Sequence, residues 1–195
     1  TPSSVFEIVR EIRKESDVPI VFLTYYNIVY RCGIDRFYRE AHDAGVDGIL
    51  IADMPVEESG EACNAALRNC IDPVFLISQT TSDKRIGIIA AEGRGYLYLV
   101  AVLGVTGVRD RVSDEAIDLL ERVRRHTSLP LAIGFGISTP AQAQTCIRAG
   151  ADGIIVGSAL VKIVERNLND PAAMEQELKD YVSAMKKALI TDILT

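Results

Sequence analysis

The stretch that decides the fold covers residues 130–161 and reads P-L-A-I-G-F-G-I-S-T-P-A-Q-A-Q-T-C-I-R-A-G-A-D-G-I-I-V-G-S-A-L-V. It predicts two short apolar strands, each ending in glycine and followed by a helix. Glycine lets a ligand approach the backbone closely, and a helix N-terminus offers N–H donors and partial positive charge. In (β/α)8 barrels the phosphate site lies at the loops after the last two strands. The stretch therefore predicts a barrel-type enzyme with a phosphate-bearing substrate, although tight turns alone would also explain Gly134, Gly136 and Gly157.

Composition excludes several classes of function. The chain has 195 residues and a net charge of −6, which argues against a nucleic-acid partner. No apolar run approaches the ~20 residues that span a bilayer, so no membrane segment is expected. Four cysteines without a C-x-x-C and two histidines argue against a metal site. These features predict a metal-free cytoplasmic protein with reduced thiols.

Apolar runs alternate with amphipathic segments along the whole chain. Continuous apolar runs indicate strands that are covered on both faces, as in a parallel sheet with helices outside. We predict strands at 19–24, 48–52, 74–77, 96–100, 131–133 and 153–156. Helices are predicted at 1–16, 34–44, 58–69, 84–92, 113–126, 140–149, 159–167 and 171–190. The similar segments D-A-G-V-D-G-I-L-I-A-D at 43–53 and R-A-G-A-D-G-I-I-V-G-S at 148–158 each predict a helix end, a glycine C-cap and a buried strand.

The number of strands distinguishes two architectures. A (β/α)8 barrel needs eight strands and typically ~250 residues, whereas six are predicted here. A doubly wound open sheet needs no more strands than these, but its usual G-x-G-x-x-G after the first strand is absent. We therefore expect one partial (β/α)8 TIM-barrel domain over residues 1–195, lacking roughly its first two strands because an N-terminal β-α-β portion is missing.

Six segments in order resemble tryptophan synthase α subunits. They are L-T-Y-Y-N at 23–27, A-D-M-P-V-E-E-S at 52–59, G-R-G-Y-L-Y at 93–98, G-V-T-G at 104–107, G-F-G-I-S at 134–138 and G-S-A-L-V-K at 157–162. The resemblance implies a (β/α)8 barrel and the reversible retro-aldol cleavage of indole-3-glycerol phosphate to indole and glyceraldehyde 3-phosphate. It also implies an α2β2-type complex, in which a β subunit with pyridoxal phosphate joins the indole to serine to make L-tryptophan. No cofactor is expected in the α subunit itself.

The resemblance also implies the roles of individual residues. The phosphate-binding positions are matched by Gly107, Gly134, Gly136, Gly157 and Ser158. The walls of the indole pocket are matched by Tyr25, Leu50, Leu76, Tyr98 and Phe135. Thr106 matches a supporting residue of the mobile lid at 104–112, and contacts with the β subunit are matched by Asn27, Asp53 and Pro55. Without the resemblance, Ser158 would be interpreted as an ordinary helix N-cap and the pocket residues as core packing.

The chain departs from the family at the catalytic carboxylates. The family's glutamate and aspartate lie N-terminal to the position of Thr1, so we assign no catalytic acid or base and expect this chain alone to be inactive. Two functions from different classes remain open. The chain is either the α subunit of the lyase or a non-catalytic phosphate-binding partner that modulates a β subunit. A third, weaker interpretation is another phosphate-binding barrel that shares the glycine loops.

Overall fold

The structure is a computed structural model that describes residues 1–100, 114–134 and 136–190. These residues form two compact units. The first consists of Thr1–Leu76 and Lys84–Leu97, and the second of Ile77–Asp83 and the described residues from Tyr98 onward. The prediction of a single domain over 1–195 stays a prediction.

Strands and helices alternate as the apolar pattern predicts. The strands are β1 (Val21–Thr24), β2 (Gly48–Ile51), β3 (Asp72–Ser78), β4 (Leu97–Val100), β5 (Leu131–Gly134) and β6 (Gly153–Ile155). The helices are α1 (Pro2–Arg13), α2 (Tyr26–Cys32), α3 (Ile34–Ala44), α4 (Gly60–Arg68), α5 (Asp83–Glu92), α6 (Asp114–Arg124), α7 (Pro140–Arg148), α8 (Ser158–Arg166) and α9 (Pro171–Ile190), with a 3-10 turn at Val56–Glu58. The order of strands in the sheet follows the order in the chain.

The sequence missed only one of these helices. Helix α2 begins directly after Tyr25 and ends at Gly33, whose φ of +83° breaks the helical path before α3. The break separates two short helices, and the seven residues of α2 are too few to show a clear helical period. The six strands and the other eight helices confirm the predicted βα units, which are those of a (β/α)8 barrel fold with six of its strands.

In the first unit, β1, β2 and β3 pair in parallel. Leu23 pairs with Leu50, and Leu50 pairs with Val74. Because side chains alternate between the faces of a strand, Leu76 lies on the same face as Val74. The opposite face packs against helices through Ile49, which belongs to a buried cluster with Phe6 of α1 and Phe37 of α3. The sheet is therefore apolar on both faces, as parallel sheets are.

The repeat at 43–53 and 148–158 has a structural counterpart in two aspartates. Asp47 Oδ2 accepts hydrogen bonds from the Ile20 N–H, at 2.7 Å, and from Arg13 Nη2, at 2.5 Å. In the second unit, Asp152 Oδ2 likewise accepts from the Leu131 N–H, at 2.8 Å, and from the Arg124 guanidinium.

In both repeats an arginine from a preceding helix, an aspartate and the start of a strand form one link. The glycine two residues before each aspartate has a positive φ, +97° at Gly45 and +101° at Gly150. Gly45 is the C-cap of α3, as predicted, whereas the C-cap of α7 is Ala149, so the C-cap predicted at Gly150 lies one residue too late.

Candidate functional site

The second unit brings Tyr98 of β4 and Gly134 of β5 into contact. Gly134 pairs with Ile155 of β6. A Cβ placed on Gly134 would lie 2.9 Å from Ile155 Cβ and 2.9 Å from both Cε2 and the hydroxyl oxygen of Tyr98. Gly134 is thus needed because the Tyr98 ring occupies the space of a side chain. Burial raises the pKa of Tyr98, so its hydroxyl remains protonated at neutral pH.

The loop after β5 contains a backbone position that favours glycine. Gly136 is exposed and has a φ of +82°, and among the described residues beyond its chain neighbours no atom lies within 4 Å of the place where a Cβ would lie. Here the requirement for glycine is conformational, since a side chain would be strained in spite of the space. The two glycines of the G-F-G segment therefore serve different purposes.

The N-terminus of α7, which follows this loop, is closed by the protein itself. Thr139 Oγ1 accepts from the Gln142 N–H at 3.3 Å, and Gln142 Oε1 accepts from the Thr139 N–H at 3.2 Å, which completes a capping box. Gln142 Oε1 also accepts from the Ser138 N–H at 2.9 Å. The N–H groups of Ser138, Thr139 and Gln142, which an anion could use at this end, are therefore already paired.

The N-terminus of α8, in contrast, has no side-chain cap among the described residues. Its N-cap is Gly157, whose side chain cannot cap, and Ser158 is the first helical residue. The interpretation of Ser158 as an N-cap is therefore wrong. The first N–H groups of any α-helix have no intrahelical partner, and they attract anions. Both Gly157 and Ser158 are exposed, so these donors are accessible beside the carboxyl end of β6.

In the first unit, Leu50 and Leu76 lie on the same face of the sheet. Leu50 is 2% exposed and Leu76 is half-buried. Tyr25 directly follows β1, is the N-cap residue of α2 and is 60% exposed. The strands of a parallel sheet run in the same direction, so their carboxyl ends lie at the same edge of the sheet. Tyr25, which follows β1, therefore lies at the edge where β2, with Leu50, and β3, with Leu76, also end.

The residues that match the β-subunit contact lie on two adjacent loops of the first unit. Asp53 Oδ1 accepts a hydrogen bond from the Tyr26 N–H at 2.7 Å, which ties the loop after β2 to the start of α2. Asn27, the next residue of α2, is exposed, as is Asp53, and Pro55 is half-buried. Asp53 thus has a local structural role: its carboxylate supplies the N-terminal acceptor that the Tyr25 side chain does not.

Three of the predicted site residues lie outside the described part of the chain. They are Thr106, Gly107 and Phe135, and the lid at 104–112 lies outside it as well.

Other kinds of site find no support in residues 1–100, 114–134 and 136–190. Within these ranges no group of three His, Cys, Asp or Glu side chains is placed to hold a metal ion. No described helix combines the length and apolar character needed to cross a membrane. The four cysteines are free thiols, and burial raises the pKa of Cys63 and brings that of Cys146 to about 11.

Two residues near the site were missed by the sequence analysis. Gln142 had a local signal, because T-P-A-Q at 139–142 fits the capping-box pattern. Tyr181 of α9 had none. Its hydroxyl donates to the Ser138 carbonyl at 3.1 Å, across 43 residues of sequence.

Comparisons with known proteins show the family of the chain. The family model of the tryptophan synthase alpha chain matches residues 1–190. The alpha chain from Methanoregula boonei is 66% identical over 188 residues, which are 96% of this chain and 71% of that relative. The alpha chain from Methanothermobacter thermautotrophicus is 43% identical over 188 residues, covering 96% of this chain and 70% of that relative.

Solved structures give the same result. A chain from the tryptophan synthase a2b2 complex of Pyrococcus furiosus superposes with a TM-score of 0.88 at 39% identity, covering 96% of this chain and 74% of that one. A second structure of the complex from the same organism gives a TM-score of 0.84 at 37% identity, over 95% of this chain and 73% of the other. The fold and the sequence agree: this chain belongs to the tryptophan synthase alpha chain family.

Proposed function

We propose that this chain performs the α-subunit function of tryptophan synthase. The reaction is the reversible retro-aldol cleavage of indole-3-glycerol phosphate to indole and glyceraldehyde 3-phosphate, a lyase reaction. The observation that carries the proposal is the open N-terminus of α8 beside the Gly134–Tyr98 contact. It supports a phosphate-binding end next to an aromatic wall, which is what this substrate requires.

The phosphate end is assigned to Gly107, Gly134, Gly136, Gly157 and Ser158. Ser158 adds a hydroxyl to the free N–H groups of α8, and hydrogen bonds to a charged group contribute about 1.5–3 kcal/mol each. Because the capping box pairs the donors of α7, α8 is the helix whose dipole faces the phosphate in this proposal.

The indole end is assigned to Tyr25, Leu50, Leu76, Tyr98 and Phe135. A flat heteroaromatic ring binds best between apolar and aromatic walls with few polar groups. The shared face of Leu50 and Leu76 supports this assignment for the first unit, and the half-buried Tyr98 ring supports it for the second. We name no catalytic acid or base among the residues of this chain.

The partner is the tryptophan synthase β subunit, which receives the indole in an α2β2-type complex. Asn27, Asp53 and Pro55 are assigned to its contact surface, and the Tyr26–Asp53 hydrogen bond supports a preformed surface at that edge. Thr106 is assigned to a lid over the substrate. Pyridoxal phosphate belongs to the β subunit, no cofactor is assigned to this chain, and we propose that it acts in the cytoplasm as a single domain.

The alternative, a non-catalytic phosphate-binding partner, is not favoured. The relatives that match 96% of the chain are named for the enzyme's alpha chain.

The decisive experiment compares Ser158→Ala with Ser183→Ala, an exposed serine of α9 far along the chain. Affinity for glycerol 3-phosphate is measured by calorimetry, and indole release from indole-3-glycerol phosphate is measured with and without a β subunit. We expect Ser158→Ala to weaken phosphate-ligand binding about 10-fold or more and Ser183→Ala to leave it unchanged. Indole release would exclude the non-catalytic alternative, and an unmodified protein that does not bind glycerol 3-phosphate would overturn the proposal.

A further inference from the structure

The backbone of Ser138, in the loop between β5 and α7, is held by two side chains from different helices. Its N–H donates to Gln142 Oε1 of α7 at 2.9 Å, and its carbonyl accepts from the Tyr181 hydroxyl of α9 at 3.1 Å. Ser138 is exposed, and a backbone at the surface is normally satisfied by water. Here both of its hydrogen-bonding groups are instead bound to side chains.

The loop contains one residue with a wide choice of backbone conformations. Gly136 has a φ of +82°, and no atom of the described residues beyond its chain neighbours lies within 4 Å of a Cβ position, so no described contact at that position restrains its backbone. Glycine populates many backbone conformations in the absence of restraint. Ser138 lies two residues after Gly136. Gln142 and Tyr181 fix the position of the Ser138 peptide, and this limits the backbone conformations open to Gly136.

Tyr181 is suited to this task by its place on α9. Its ring is half-buried, and burial raises the pKa of the phenol, so the hydroxyl remains a donor. Two χ angles allow the side chain to be fixed at small entropic cost compared with a lysine or glutamine. The contact therefore ties the loop to a helix that begins 33 residues after Ser138.

We propose that Tyr181 is a positioning residue that holds the β5–α7 loop in its phosphate-binding conformation. The inference rests on the proposed function, since it assumes that Gly134 and Gly136 contribute to phosphate binding. Tyr181 does not touch the substrate. It acts through the Ser138 carbonyl, so that loss of its hydroxyl lets the loop move and the Gly136 N–H lose its alignment.

The test is Tyr181→Phe, which removes only the hydroxyl, with Tyr30→Phe as the matched control because Tyr30 is 68% exposed on α2. Binding of glycerol 3-phosphate and of indole is measured by calorimetry for each purified variant, together with the thermal midpoint. A hydrogen bond contributes about 0.5–1.5 kcal/mol, so Tyr181→Phe should weaken glycerol 3-phosphate binding about 2- to 10-fold. Indole binding should weaken less than glycerol 3-phosphate binding, because Phe135 is the one residue of this loop among the five assigned to the indole pocket, and Tyr30→Phe should change neither affinity.

The outcomes separate this inference from the one on which it rests. If the unmodified protein does not bind glycerol 3-phosphate, the phosphate site itself fails and the inference falls with it. If it binds and Tyr181→Phe binds equally well, the positioning role is overturned while the proposed function stands. An equal loss of glycerol 3-phosphate and indole affinity would also overturn the inference, because it would mean a general loosening of the fold.

Discussion

Replacing Gly134 by alanine should destabilise the protein by forcing Tyr98 and Ile155 apart. The new methyl group would lie 2.9 Å from three atoms, whereas carbon atoms in contact are about 3.5–4.0 Å apart. Two of the three atoms belong to the Tyr98 ring and one is the Cβ of Ile155, so part of the strain falls near the β6 backbone. Overpacking of this kind costs about 1–3 kcal/mol. At about 2–4 °C per kcal/mol for a domain of this size, the melting temperature should fall by about 2–12 °C.

Gly153→Ala is the matched control, because a Cβ there would meet only Ala132 Cβ at 3.9 Å, an ordinary contact. Thermal and urea unfolding should show Gly153→Ala within about 0.5 kcal/mol of the unmodified protein. The cost of Gly134→Ala should also shrink in a Tyr98→Leu background, since neighbours in contact couple by about 0.5–3 kcal/mol. Equal stability of Gly134→Ala and Gly153→Ala would refute the reasoning. So would a destabilisation by Gly134→Ala that is the same in the Tyr98→Leu background as in the unmodified protein.

Two further predictions concern groups with shifted pKa values. Arg122 binds Asp83 Oδ1 through Nε at 2.9 Å and holds its carboxyl pKa below the ordinary value of about 3.9. Asp83→Asn should therefore lower the free energy of unfolding by a constant amount above about pH 4, and the difference should shrink as the pH falls through the lowered pKa. For the thiols, a maleimide at pH 8 should label exposed Cys70 quickly and spare buried Cys146, whose pKa is about 11, as read by peptide mass spectrometry.

Each of the two predictions, for Asp83→Asn and for the thiols, has an outcome that would contradict it. A stability difference for Asp83→Asn that stays constant down to pH 2, or one that persists in Arg122→Ala, would show that the ion pair is not its source. Labelling of Cys146 at the same rate as Cys70 under native conditions would mean that the interior around α7 opens freely. In denaturant both thiols should react alike, which controls for reagent access.

The order of elements could be predicted because its signals are local. Continuous apolar runs and a glycine C-cap such as Gly45 depend on neighbouring residues only, and the six described strands followed from the apolar runs. Helix α2 was missed because seven residues give too little periodicity and Gly33 breaks the run.

The site was less accessible to sequence reasoning. The glycines at 134 and 136 could be picked out, but not that one makes room for Tyr98 and the other adopts a positive φ. The first reason depends on Tyr98 and Ile155, which are distant in sequence, and the second on the path of the loop after β5. The difference between the capped N-terminus of α7 and the N-terminus of α8 could be predicted in part, since T-P-A-Q at 139–142 indicates a capping box. The bond from Tyr181 to Ser138 could not, because it depends on how α9 packs and leaves no pattern in the sequence.

The repeated link of arginine, aspartate and strand start bears on how the strands find their alignment. Strands with apolar residues on both faces, such as G-I-L-I at 48–51, lose little hydrophobic contact if they slip by one position. A slip by one position moves every side chain to the opposite face of the sheet. In a strand with one polar face, this would move the apolar side chains to the solvent, which would be prohibitive. Asp47 and Asp152 favour one alignment, because each carboxylate binds the backbone N–H at the start of the neighbouring strand, that of Ile20 just before β1 or of Leu131 in β5. The alignment of these parallel strands is thus encoded by charge at their starts, through contacts that close loops of only 27 and 21 residues and therefore cost little chain entropy.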